Sequence, residues 1–353
     1  MRPQRPVRPR RHLWQQHQSI FYALHPDQLP AESIRLTYTF GLGGISVLAT
    51  LITLVTGVLL TFYYQPAPAD AYASMVLIED LVARGSLVRA LHYWAAQLMV
   101  VAVTLHTARV VFTGAYNRPR RVNWLVGVAL LVVTLLWDFS GYVLRWDESA
   151  HWALLVGTNL IKLVPALGNS LYLLLVGDVA VGAPALLRFY GWHVIGLTVI
   201  AAFGIVYHLF RLRVDGGISR PPRVSGARRP MVSKDVLFQR EIVAALLVTG
   251  GLILLAALMP TPLGTAADLN QPPAIAKAPW IFLWVQRLLR YIDPFWAGVG
   301  LPLLTTLFLA ALPWLDPRAR AGIWFDRRRW PVQIAFSVVA LLIALLTVWE
   351  AWL

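Results

Sequence analysis

Cysteine is absent from all 353 residues. That excludes disulfides, thiolate metal sites, iron–sulfur ligation and thioether-bound haem. Any cofactor must be held by histidine, carboxylate or backbone. Charge is scarce too: Asp, Glu, Lys and Arg make up 14% of the chain, against roughly a quarter in an average soluble domain. The acidic residues are the scarcer, 17 against 31 basic, for a net charge of +14. What is plentiful is apolar, with 58% hydrophobic residues, 15 Trp and a mean hydropathy of +0.61. Such a chain is no water-soluble globule, and its basic excess points to membrane helices joined by basic loops rather than to a nucleic-acid binder.

Apolar runs of about 20 residues read as spanning helices. Seven are expected, over 38–63, 90–114, 124–144, 186–210, 239–259, 295–315 and 331–352. The segment 10–28 is mixed polar and aromatic and reads as an interfacial helix. The basic, Pro-rich opening lacks the short apolar core and cleavage site of a signal peptide. With seven spans, the N-terminus and the loops 117–123, 211–240 and 316–330 share one side and carry 21 Lys and Arg. The connections 64–88, 145–183 and 260–292 carry 6. That asymmetry places the N-terminus in the cytoplasm and the C-terminus outside. Four regions are expected: a basic tail with the interfacial helix (1–30), a four-helix core (31–215), a basic cytoplasmic loop (216–238) and a three-helix domain with a long outer loop (239–353).

Four histidines fall inside apolar spans: His92 and His106 on the second, His193 and His208 on the fourth. Fourteen residues is close to four turns, so His92 and His106 project from nearly one face, about 21 Å apart along the axis. His193 and His208 are fifteen apart, which in a regular α-helix rotates one against the other by roughly 60°. The second and fourth spans run in the same direction, so His92 is level with His193 and His106 with His208. The first and third spans carry Gly43 and Gly57, and Gly127 and Gly141, again fourteen apart. Their antiparallel course puts Gly57 and Gly141 in the outer tier and Gly43 and Gly127 in the inner one. Glycine lets a flat, bulky group approach a helix backbone, although it is also a common packing residue between membrane helices. Two bis-histidine tiers in a glycine-lined box fit haem with two axial imidazoles. Zinc or copper would need a third protein ligand in each tier. Arg89, Arg109, Arg188 and Arg211 stand near these histidines and could meet haem propionates or reach to the interface.

On these residues the chain resembles the cytochrome b family of quinol-oxidising bc and bf complexes, most of all the chloroplast and cyanobacterial bf branch. The matching stretches are LGGI (42–45), TGVLLTFYYQPAPADAYAS (56–74), VRALHYWAAQLMVVAVTLHTARVVFTGAY (88–116), SGYVLRWDESAHWA (140–153) and LLRFYGWHVIGLTVIAAFGIVYHL (186–209). The fifteen-residue histidine spacing belongs to that branch, and the last three spans resemble its three-helix partner subunit fused to the core. The resemblance implies an all-α membrane protein with two non-covalent b-type haems. His92 and His193 would bind the outer, low-potential one, and His106 and His208 the inner, high-potential one. Quinol would be oxidised near the outer haem, between the 145–183 and 260–292 connections, and quinone would bind near the inner haem.

Three positions depart from the family pattern. Gly41 stands where the bf branch attaches an extra haem through cysteine, so no covalent haem is expected. The family's PEWY motif aligns with Ala278-Pro279-Trp280-Ile281, so its proton-accepting Glu is Pro279, and Trp280 remains as a quinone-site contact. The usual Pro of the GYxLPW stretch is Arg145. Quinol oxidation needs a proton acceptor within hydrogen-bond reach. Asp147, Glu148 and His151 on the neighbouring connection are the candidates, with Arg145-Asp147-Glu148 as a solvated charge cluster the alternative. The Glu79-Asp80 pair reads as surface, and Arg211, Arg213 and Asp215 beside the inner site as topology charges, with proton supply and polar contacts to quinone the alternative.

The expected protein is thus a di-haem cytochrome b subunit in a bacterial plasma membrane, drawing on the quinone pool. Expected partners are membrane lipid, a Rieske iron–sulfur protein and a c-type cytochrome or equivalent, in a homodimeric multi-subunit complex. An alternative is a two-haem anchor that relays electrons to a different oxidoreductase without bifurcated quinol oxidation. A non-redox transporter or structural protein, its histidines merely packing helices, is the third reading.

Overall fold

The computed structural model describes residues 28–220, 230–267, 277–317 and 322–353. The interfacial helix expected over 10–28 lies almost wholly outside the described residues. Among them, seven helices are long and apolar enough to cross a membrane. They are α1 (Leu42–Thr61), α3 (Gly85–Phe112), α4 (Arg121–Val143), α7 (Ala183–Val214), α8 (Lys234–Leu258), α10 (Trp296–Leu315) and α11 (Arg327–Ala351). Shorter helices fill the connections on one face, called outer below: α2 (Ala71–Asp80), α5 (Glu148–Lys162), α6 (Gly168–Val176) and α9 (Trp280–Leu289). Leu, Val, Ile and Phe on the outward faces of the spanning helices are widely exposed, for example Val55, Phe203, Leu247 and Leu342, which is the surface a lipid phase covers.

Helices α1, α3, α4 and α7 form a bundle whose core is layered. A middle layer of Ala49, Met99, Trp137 and Ala201 takes one residue from each helix, and in each helix that residue lies between the two His or Gly positions. An outer layer under α2, α5 and α6 contains Ile78, Val143, Trp146, Leu154, Tyr172, Val176 and Leu186. An inner layer of Val111, Tyr116, Trp124, Val128 and Leu312 joins the bundle to α10 and α11.

Polar contacts lock the last helices on. At the inner end, Arg329 is fully buried; its Nε donates to Asp316 (2.7 Å) and Nη2 to the Val111 carbonyl (2.8 Å) and the Tyr116 hydroxyl (2.8 Å). Tyr116 in turn donates to Asp316 (2.6 Å). At the outer end Glu350 is buried between Arg287 of α9 and Arg290 just after that helix. A two-stranded antiparallel ribbon, β1 (Gln28–Pro30) with β2 (Met231–Ser233), pairs Leu29 with Val232 and ties the start of the described chain to the approach to α8.

The fourth span departs from the regular helix assumed for it. Trp192–Gly196 is a π-turn, which takes one extra residue into the helix. It absorbs the fifteenth residue of the His193–His208 interval, so the roughly 60° rotation expected of a plain α-helix is taken up locally. The His193 carbonyl that the turn frees accepts from Trp137 Nε1 (3.0 Å) and Thr198 Oγ1 (2.9 Å), which satisfies a buried acceptor.

Candidate functional site

The four histidines of α3 and α7 meet in two pairs. The His92 and His193 rings have centroids 6.2 Å apart at 71°, and those of His106 and His208 are 6.5 Å apart at 75°. Two imidazoles on opposite sides of one metal, with metal–nitrogen bonds of about 2 Å, would have centroids roughly 6 Å apart. Among the described residues no group of three or more His, Asp or Glu gathers as a metal cluster. Each tier thus offers two protein ligands, the donor set of a metal whose other ligands come from a macrocycle.

Gly43 and Gly57 of α1 and Gly127 and Gly141 of α4 each back one imidazole. A Cβ on Gly57 would lie 3.1 Å from His92 Cε1, on Gly141 2.6 Å from His193, on Gly43 3.5 Å from His106 and on Gly127 3.2 Å from His208. The glycines therefore make room for the rings themselves, and the squeeze is tightest at Gly141.

The outer tier has a further feature. Thr56 Oγ1 donates to the Ile52 carbonyl (2.7 Å), so its 3.0 Å contact with His92 Nδ1 is one in which the imidazole donates. Ser140 Oγ donates to the Trp137 carbonyl (2.9 Å) and accepts from His193 Nδ1 (3.0 Å). Both outer rings are thereby fixed with the proton on Nδ1 and the lone pair on Nε2, the arrangement of a metal-ligating histidine with its supporting acceptor. In the inner tier no side-chain hydroxyl among the described residues bonds His208 Nδ1; its neighbour is the Asn123 backbone. Thr56 and Ser140 were missed by sequence reasoning, although a signal existed: each immediately precedes an outer-tier glycine, where the inner-tier glycines follow Leu42 and Val126.

The arginines divide. Arg109 is buried, lies over the Tyr38 ring at 4.6 Å and leaves one guanidinium nitrogen unpartnered; Arg211 pairs with Asp215 at 2.7 Å and leaves Nε unpartnered. Such orphaned buried donors suit an acidic ligand group. Arg89 is taken up by Glu79 (2.5 Å) and the Thr261 carbonyl (3.1 Å), so Glu79, read as surface, is an ion-pair partner. Arg188 donates to the Leu173 (2.7 Å) and Leu174 (2.6 Å) carbonyls at the end of α6, where a cation complements the helix dipole. That is a structural duty, apart from the ligand contact expected of it.

At the outer face the two long connections are strapped together. Asp147 is fully buried and caps α5 by accepting from Ala150 N (2.9 Å); its other oxygen accepts from Gly264 N (2.9 Å), and Arg145 pairs with it at 3.3 Å. The expectation of a free proton acceptor at Asp147, or of a solvated cluster, gives way to a helix cap with both oxygens engaged. Glu148 takes a 3.4 Å bond from Thr265 Oγ1. His151 sits between the Trp146 and Trp152 rings, 5.4 and 5.7 Å away, and burial lowers its pKa, which keeps it neutral. Trp280 is 42% exposed and its indole N–H reaches Gln97 Oε1 on α3. Gln97 Nε2 donates to Asp138 of α4 at 3.4 Å. Neither Gln97 nor Asp138 was singled out in the sequence, although a carboxylate inside an apolar span is the standard pointer.

A family profile described as cytochrome b/b6/petB matches residues 28–216. Cytochrome b6 of Heliomicrobium gestii is 39% identical over 192 residues, covering 54% of this chain and 90% of that protein. Cytochrome b6 of Synechococcus elongatus is 38% identical over 180 residues, 51% of this chain and 83% of that one. Among solved structures, a chain of a hyperthermophilic respiratory Complex III superimposes with a TM-score of 0.81 at 24% identity, over 97% of this chain and 89% of that one. The family profile spans α1–α7, and the likeness of fold continues through α8–α11.

Proposed function

This integral membrane chain belongs to the cytochrome b/b6 family, and from that premise we propose that it holds two b-type haems, one above the other, and carries electrons across the membrane between an outer quinol-oxidation site and an inner quinone site. The observation that carries the reading is the pairing of imidazole centroids at 6.2 and 6.5 Å in two tiers. His92 and His193 would hold the outer haem, and His106 and His208 the inner one. When bound, haem iron supplies a one-electron couple at each tier.

The chain's own residues do the rest. Thr56 and Ser140 fix the outer imidazoles with Nε2 free to ligate. Gly43, Gly57, Gly127 and Gly141 leave space beside the four rings. Arg109 and Arg211 offer unpartnered donors to propionates. The middle layer of Ala49, Met99, Trp137 and Ala201 holds the tiers apart in an apolar medium. Gly41, at the position of the tethering cysteine in the bf branch, gives no thioether, and the haem count is two.

Electrons of high potential would leave through a separate Rieske-type subunit toward a c-type cytochrome or its equivalent, in a homodimeric complex like those of the family. The N-terminus would face the cytoplasm of a bacterial plasma membrane and the C-terminus the outside, from the 21 to 6 division of basic residues. A second reading, a two-haem relay without quinol oxidation, draws on one observation: Pro279 carries no proton acceptor. Purification of the native complex separates the two. Co-purification of an iron–sulfur subunit, with quinol oxidation blocked by outer-site inhibitors, supports the first. A stable complex that lacks such a subunit and ignores those inhibitors refutes it in favour of the second.

A further inference from the structure

Asp138 lies within α4, five residues and about 7 Å from the outer end of that helix. A carboxylate at that depth is expensive without a cation or a function. Among the described residues no Lys, Arg or His forms an ion pair with it. Its hydrogen-bond partner is the neutral Gln97 amide at 3.4 Å, whose carbonyl accepts from Trp280. These two bonds set the amide's direction: the NH2 faces Asp138, which acts as acceptor. Phe139, the next residue, meets Phe282 edge-on at 5.5 Å, so α9 is seated against this part of α4. Tyr93, one turn before Gln97 on α3, has Arg145, Asp138 and Arg89 as the charged groups around it. Asp138, Gln97 and Tyr93 are all partly exposed, and Trp280 beside them is 42% exposed.

The stretch Ala278-Pro279-Trp280-Ile281 has no ionisable side chain. Both oxygens of Asp147 are engaged as a cap and strap. Glu148 bonds Thr265 on the adjoining connection. His151 is enclosed by Trp146 and Trp152. Asp138 alone of these combines an acceptor oxygen, partial exposure and a hydrogen-bonded link to Trp280.

We propose that Asp138 is the proton acceptor of the outer quinol site, with Gln97 as the positioning residue that joins it to Trp280. This rests on the quinol-oxidising reading above. In the step, a quinol O–H bond breaks and its proton passes to an Asp138 carboxylate oxygen; the second hydroxyl proton goes to water. The two electrons would leave singly, one to the one-electron group that His92 and His193 would hold and one to a high-potential iron–sulfur acceptor on a partner subunit, leaving quinone.

The test uses the purified complex with a short-chain quinol. Asp138→Asn is expected to lower quinol oxidation by about 100-fold or more, the range of a lost proton acceptor. Haem content, optical spectrum and haem reduction through the inner site should be unchanged, and Asp138→Glu should keep a measurable rate. Infrared difference spectra on quinol oxidation should show a protonated carboxyl band that shifts on carbon-13 labelling of aspartate and vanishes in Asp138→Asn. If that variant fails to retain haem, the labelled band in the wild type decides. An active wild type with an equally active Asp138→Asn, or a carboxyl band that ignores aspartate labelling, overturns this inference alone. A haem-loaded wild type that oxidises no quinol overturns the underlying reading with it.

Discussion

His92 donates its Nδ1 proton to the hydroxyl of Thr56, because that hydroxyl has already directed its own proton to the Ile52 carbonyl. Ser140 does the same for His193, while among the described residues no side-chain hydroxyl does so for His208 of the inner tier, which has the Asn123 backbone beside it. The two tiers share ligands, spacing and glycine backing, yet differ in what stands behind the rings.

That difference has a measurable consequence. A hydrogen bond at Nδ1 raises the basicity of a ligating imidazole and stabilises the oxidised metal. Thr56→Val and Ser140→Ala should each raise the potential of the outer haem, by on the order of tens of millivolts, and leave the inner one in place. A redox titration followed in the visible spectrum checks this; equal movement of both components would count against the tautomer assignment.

The glycines should not be equally tolerant. A Cβ at position 141 would sit 2.6 Å from His193 Cε1, whereas one at position 43 would sit 3.5 Å from His106. Overpacking of this kind costs about 1–3 kcal/mol. Gly141→Ala should therefore lower occupancy of the outer haem, and Gly43→Ala should leave the inner one nearly full. Haem-to-protein ratios of the two purified variants give the comparison.

Much of this arrangement is legible in the residues. The fourteen-residue intervals of His and Gly give two tiers and their partners, because spanning helices have a fixed rise and alternate in direction. The apolar runs give seven spans within a few residues of the helices found. The π-turn at 192–196 is not legible from periodicity, since an inserted residue changes the phase of a helix without changing its composition. Nor is the fate of the charged residues. Arg89 and Asp147 look alike as candidates for chemistry, and only the folded connections show one paired with Glu79 and the other capping α5. Asp138 was visible as a lone carboxylate in an apolar run, but its link to Trp280 crosses more than a hundred residues of sequence.

One buried polar cluster strengthens the join between the α1–α7 bundle and the last helices. Asp316 accepts from both Arg329 and Tyr116. Removing one partner of a buried charge pair typically costs about 3–5 kcal/mol. Asp316→Asn should lower the thermal unfolding temperature of the complex in detergent and loosen α10 and α11 first, with haem spectra persisting until higher temperature. Limited proteolysis near residue 316, compared with the wild type, would show the order of events.

The central claim is that two separate tiers of paired histidines each hold one haem, and it is tested most directly by haem quantitation with a redox titration of His92→Ala. The predicted result is loss of one b-type component, half the haem, with the His106–His208 component titrating at its wild-type potential. Retention of both components, or a single component already in the wild type, would contradict it.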